Sequence, residues 1–190
     1  MNKITDEIKL ELIKRCDSYY EQEGYDFWND HIKYVVKNAL DLAHEYNADE
    51  EIVELGALLH DIAQVTKFGP SEAHHIYGAK IAEELLSDLG YPMDRIKRVQ
   101  ACILNHRGSI DRPRESIEEE CVADADVMAH FDCIPSLFSL VYKTKKMSIE
   151  DGKSYVKSKL ERDYNKLSLK TREKLKDRYD NIVKLLFVEK

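Results

Sequence analysis

The chain has 190 residues, of which 43% are hydrophobic and 34% charged, with a formal net charge of −7. That length holds a real core, and the composition is that of a folded polypeptide rather than a disordered one. The acidic balance argues against duplex nucleic acid, whose binders carry a surplus of Lys and Arg, but a small phosphorylated substrate needs only a local basic patch.

No run reaches the roughly 18 apolar residues of a membrane span. The stretch from Met1 to Gly24 has no apolar signal core, so a cytoplasmic protein with no membrane partner is expected. Cys16, Cys102, Cys121 and Cys133 form no C-x-x-C pair and read as buried thiols. Only seven Gly and four Pro occur, which favours long helices joined by short loops.

The chain reads as successive helices. The first runs from about Thr5 to Glu23. A second opens near Asn29 and Asp30, both good N-cap types, and runs to about Tyr46 with a stripe of Ile32, Val35, Val36, Ala39 and Ala43. A third follows Asn47, carries Asp49, Glu50 and Glu51 at its positive end, and continues through Leu55, Leu58, Leu59 and Ile62. It is apolar on most sides, which marks a central buried helix. Gly69-Pro70 breaks the pattern. A fourth helix spans Glu72 to Leu89 and stops at Gly90. A fifth opens at Pro92 and ends near His106. Gly108 to Pro113 is a polar loop, and a sixth helix spans Ser116 to Phe131. Further helices follow Pro135, with Ser148 to Lys190 an outer pair showing no chemistry of its own.

The strongest local signal is Leu58-Leu59-His60-Asp61. A carboxylate inside an apolar helix must be neutralised, since burying it unpaired costs several kcal/mol or more. A metal cation does so directly, because Asp oxygen and neutral His nitrogen are both ligands. His31, His75, His106 and Asp126 occupy similar apolar faces of other helices and converge only if they meet in the core.

His31, then His60-Asp61, then Asp126 is the H…HD…D pattern, and the chain here resembles the HD superfamily of metal-dependent phosphohydrolases. Supporting text is DHIKYVVKNALDLA, LGALLHDIA, HHIYGAKIAEELL, ILNHRG and DADVMAHF. The resemblance covers roughly Asp26 to Phe131. It implies a single domain over residues 1–190: an all-α HD-type bundle with a C-terminal helical extension over about 135–190. It also implies a divalent metal (Mn, Fe, Co, Ni, Zn or Mg) held by His31, His60, Asp61 and Asp126. Relatives with two further histidines in the interval hold a second ion bridged by the HD aspartate. His75 and His106 are placed there, and H-x-x-G around His75 looks like those branches. His74 rivals His75, Asp124 rivals Asp126, and His130 lies one turn beyond Asp126.

The implied activity is cleavage of a phosphoester or phosphoanhydride bond, in a nucleotide or other small phosphorylated metabolite, by metal-activated hydroxide with Asp61 as the catalytic carboxylate. Lys67 and Arg107 are the candidates for holding phosphate, with Arg112 and Arg114 in the next loop. Tyr25, Phe27 and Trp28 could floor a nucleobase pocket, and a homodimer is compatible. Two alternatives stand beside this: a di-iron oxygenase built on the same ligands, and a nucleotide or metal sensor without turnover. Gln64-Val65-Thr66 replaces the acidic pair of alarmone hydrolases, and the G-Y-P segment of cyclic-di-GMP phosphodiesterases is missing, so neither activity is expected.

Overall fold

The computed structural model describes residues 3–107 and 113–187. The loop expected at Gly108–Pro113, with Arg112, lies outside them except for Pro113. The described residues are helical, with no strand. In order they form α1 (Lys3–Glu23), α2 (Lys33–Tyr46), α3 (Glu50–Leu59), the single turn α4 (Ile62–Val65), α5 (His74–Asp88), α6 (Met93–Asn105), α7 (Ile117–Asp132), α8 (Ile134–Ser139), α9 (Ile149–Lys166) and α10 (Leu169–Leu186).

The helix boundaries follow local chemistry. Asp49 caps α3 by accepting from the Ile52 amide at 3.3 Å, and Ser116 caps α7 by accepting from the Glu119 amide at 3.3 Å while its hydroxyl donates to the Glu119 carboxylate at 2.9 Å. Asn47 ends α2 in the left-handed region at φ 54°, a conformation Asn tolerates better than most residues. Gly69 has φ 81° and a Cβ there would overlap the Tyr77 ring, so only glycine makes this turn.

Two expectations are corrected. The second helix opens earlier than Asn29: Asp26 accepts from the Asn29 amide at 2.8 Å, and one π turn at Trp28–Ile32 leads into α2. The third helix does not run through the His-Asp doublet. It stops at Leu59, and Asp61 adopts φ −109°, ψ 15° before α4 resumes. Consecutive residues of an unbroken helix point about 100° apart, so the break allows neighbouring His60 and Asp61 to face one point.

The central position expected for α3 holds. Ile52, Val53, Leu55, Ala57, Leu58 and Leu59 are all fully buried. At Gly56 an added Cβ would meet Cys102 at 2.9 Å and Val122 at 3.1 Å, so glycine lets α6 and α7 pack directly on α3. A first apolar cluster joins residues of α1 to α7, and a second joins Val127 and Phe131 of α7 to α8, α9 and α10. Helix α7 thus has apolar groups on both sides, with the C-terminal helices as an outer layer.

Asp124 fastens that layer. It is fully buried and accepts from Ser168 Oγ at 2.6 Å, the Ser168 amide at 3.1 Å and Arg114 at 3.2 Å. Arg178 adds bonds to Asp132 and the Phe131 carbonyl at 2.6 and 2.7 Å. Removing one member of a buried, hydrogen-bonded ion pair leaves the other uncompensated. Asp124→Ala should therefore cost about 3 kcal/mol, read as a lowered denaturation midpoint, while bound metal stays at the wild-type level.

Candidate metal centre

Five elements aim side chains at one point, among them α5, whose first residue is His74. The π turn before α2 brings in His31, an irregularity often found at functional sites. The break after α3 brings in His60 and Asp61, α6 ends at His106, and α7 presents Asp126. His31, His60 and His106 are 6%, 0% and 3% exposed. The side chains of Asp61 and Asp126 keep 16% and 18% exposure, so the centre opens toward solvent at its carboxylates.

The donor atoms fall into two groups. His31 Nε2 lies 3.1 Å from His60 Nε2 and 3.2 Å from Asp126 Oδ1. Asp61 Oδ2 joins them at 3.6 Å from His60 and 3.7 Å from His31. The other oxygen, Asp61 Oδ1, is 3.4 Å from His74 Nε2, which is 3.1 Å from His106 Nε2. One carboxylate thus faces both groups, one oxygen to each.

Here the expectation for His75 is corrected. His74 reaches Asp61 and His106. His75 is 3% exposed on the same face of α5 as Gly78, Ala79 and Ala82, which is the packing face. A 3₁₀ turn at Ser71–Ala73 precedes α5 and turns its first residue inward. The H-x-x-G spacing has a packing origin: a Cβ on Gly78 would lie 3.5 Å from the His60 carbonyl and 3.3 Å from Ile103. Asp126 faces the centre and Asp124 faces away, toward Arg114 and Ser168.

The rings are held in one tautomer. Nδ1 of His60, His74 and His106 faces the carbonyl three residues upstream, of Ala57, Ser71 and Ile103, at 2.8, 2.7 and 2.6 Å. A carbonyl only accepts, so each Nδ1 carries the hydrogen and each Nε2 of a neutral ring carries a lone pair. His74 and His106 therefore turn lone pairs toward each other across 3.1 Å. That is repulsive unless a cation lies between them. Neighbouring ligands around a metal at about 2.1 Å stand roughly 3.0–3.4 Å apart, so the donor set fits a divalent ion in each group.

Electrostatics agree with a centre built for positive charge. Burial would raise the carboxyls, but His60, His31, His74 and His106 hold Asp61 below the usual range. His31, His130 and His60 likewise outweigh burial and hold Asp126 well below it. Burial and the neighbouring His60 push the His106 imidazole down to about 4, which keeps it neutral and available as a ligand.

Beyond these donors, the His130 ring stacks on His31, with centroids 5.4 Å apart and planes at 12°. Its Nδ1 faces Asp163 Oδ2 of α9 at 3.0 Å, and its Nε2 is 4.0 Å from Asp126 Oδ1. Asp163 left no local signal in the sequence, since it is an acid in a charged helix far along the chain. Lys67 and Arg107 have other partners. Lys67 pairs with Glu23 and lies 5.4 Å from the Tyr19 ring centroid. It lines a cavity of about 290 Å³ between α1 and the end of α4. Arg107 donates to the Glu72 carbonyl beside His74. Phe27 and Trp28 pack on the first apolar cluster, whereas Tyr25 hydrogen-bonds Ser136 of α8 within electrostatic reach of Asp61.

The fold and this centre define a class that sequence comparison also reaches. The HD domain family model matches residues 29–130, and the chain belongs to the HD domain family. The fold is similar to that of Bacillus subtilis YpgQ, which is 22% identical, with 97% of this chain and 92% of that one covered and a TM-score of 0.73. YpgQ in complex with ADP gives a TM-score of 0.71. An HD-superfamily hydrolase from Bacillus thuringiensis is 20% identical, with 96% and 94% covered and a TM-score of 0.67. A tRNA (cytidine(56)-2'-O)-methyltransferase of Picrophilus torridus is 31% identical over 141 residues. The match takes in 67% of this chain and 38% of that enzyme, so the chain spans about two-fifths of that relative's length. Among the described residues no helix is long and apolar enough to cross a membrane.

The two adjacent histidines separate by experiment. His74→Ala should reduce bound metal by about one ion per chain with little change in the metal-free melting temperature. His75→Ala should lower the melting temperature and leave metal content unchanged. Elemental analysis beside thermal melts checks both.

Proposed function

We infer that this protein is a metal-dependent hydrolase that cleaves a phosphoester or phosphoanhydride bond in a nucleotide or other small phosphorylated metabolite. The observation that carries the reading is the two groups of donors sharing Asp61. His31, His60, Asp126 and Asp61 Oδ2 would hold one divalent ion, and His74, His106 and Asp61 Oδ1 a second. When bound, such ions supply Lewis acidity toward a phosphoryl oxygen and bring the pKa of water near neutrality.

The chain's own residues do the rest. The carbonyls of Ala57, Ser71 and Ile103 accept from Nδ1 and fix three rings, so that Nε2 of each neutral ring turns its lone pair inward. The exposed edges of Asp61 and Asp126 leave one side open for substrate. With Nδ1 directed at Asp163, the His130 ring has its Nε2 available at the margin of the centre. There it can take up a proton and pass it on. The ADP complex of similarly folded YpgQ favours a nucleotide as substrate.

Protein loaded with Mn²⁺ or Fe²⁺ should carry close to two ions per chain. It should release phosphate or pyrophosphate from a member of a nucleotide panel without oxygen. Changing outer partners of metal ligands typically costs 10–100-fold, so Asp61→Asn should exceed about 100-fold and lose metal as well. Turnover that demands oxygen and iron would establish an oxygenase, and nucleotide binding without product a sensor. A wild-type melting temperature indifferent to metal would overturn the metal centre itself.

A further inference from the structure

The outer helical layer has chemistry that the mechanism above leaves unused. Asp163 of α9 is 7% exposed and faces one imidazole and two ammonium groups. His130 Nδ1 and Lys159 Nζ each lie 3.0 Å from Oδ2, and Lys166 Nζ is 4.0 Å from Oδ1. One carboxylate neutralises one ammonium, so this corner has a surplus positive charge in a chain whose net charge is −7. The lysine side chains are 23% and 26% exposed, which leaves their stems largely covered and their charges reachable.

The corner adjoins the metal centre. His130 links Asp163 to His31 by stacking and approaches Asp126. The Lys159 charge acts on His31 and His130, and Lys166 interacts with Asp126. The lysines are also held in place. Arg114, anchored on buried Asp124, donates to the Lys166 carbonyl at 3.4 Å, where α9 ends. Loading the centre with divalent ions would add positive charge beside two ammonium groups. The arrangement is relieved when an anion of two or more charges lies across both.

We propose that Lys159 and Lys166, positioned by Asp163, form the phosphate-binding wall of the centre and take the phosphate chain of the substrate. This rests on the phosphohydrolase reading and gives the C-terminal helices a direct part in substrate recognition.

The test uses the full chain loaded with Mn²⁺, with ADP, inorganic phosphate and adenosine as probes in calorimetric titrations. Lys159→Gln and Lys166→Gln should each weaken ADP and phosphate binding about tenfold, the loss expected for one charge-assisted hydrogen bond. The double variant should lose more, and the Arg variants should restore most of it. Metal content should stay at the wild-type value in every variant, and the Arg variants, which keep the pairing with Asp163, should melt as wild type. Lys176→Gln, on the exposed face of α10, should bind as wild type. Unchanged ADP and phosphate binding in both Gln variants would overturn the proposal: the lysines then only neutralise Asp163, and the hydrolase reading stands. Loss of binding in the Gln variants without rescue by Arg, together with a lowered melting temperature, would also overturn it in favour of a structural role. A metal-loaded wild type that binds neither ADP nor phosphate would sink both readings.

Discussion

Imidazole nitrogens brought to 3.1 Å from one another, twice over, are the constraint on which this structure turns. In the His74–His106 pair both neutral rings have their hydrogen committed to a backbone carbonyl, so the facing atoms there are electron pairs. Such a core is held open to cations by design of its backbone. The Ala57 and Ile103 carbonyls belong to the last turns of α3 and α6, where carbonyls lack an intrahelical partner, and Ser71 lies in the 3₁₀ turn before α5. The centre therefore sits where helices stop: before α2, after α3, before α5 and after α6.

The surrounding fold keeps those ends in place. Glycines at 56 and 78 let α6 and α7 pack directly on α3, and α5 pack against the His60 carbonyl and Ile103. Helix α7 does two jobs two residues apart. Asp124 and Asp126 are about 200° apart around the helix, so one anchors the outer layer while the other faces the centre. An aspartate in this helix thus faces the centre or anchors the outer layer by rotation alone.

The outer layer is more than a cover. His130 stands between His31 and Asp163, and Asp163 gathers two lysines. The inner bundle supplies the donors, and α9 adds Lys159 and Lys166. Family membership rests on residues 29–130, so the contribution of α9 lies beyond the part of the chain that the family shares.

Much was legible in the sequence. The all-helical fold, the buried third helix and the meeting of His31, His60, Asp61, His106 and Asp126 follow from apolar periodicity and from polar groups on apolar faces, because burial penalties act on each residue locally. Other features were decided by tertiary structure. The break at His60-Asp61 cannot be seen in an unbroken apolar run, since only convergence on a shared point requires it. The choice of His74 over His75 depends on one 3₁₀ turn, and rotating a helix start by a single residue moves its side chain by about 100°. Asp163, Lys159 and Lys166 look like solvated helix charges in sequence. Their burial, and their place beside the centre, exist only once α9 is docked on α7.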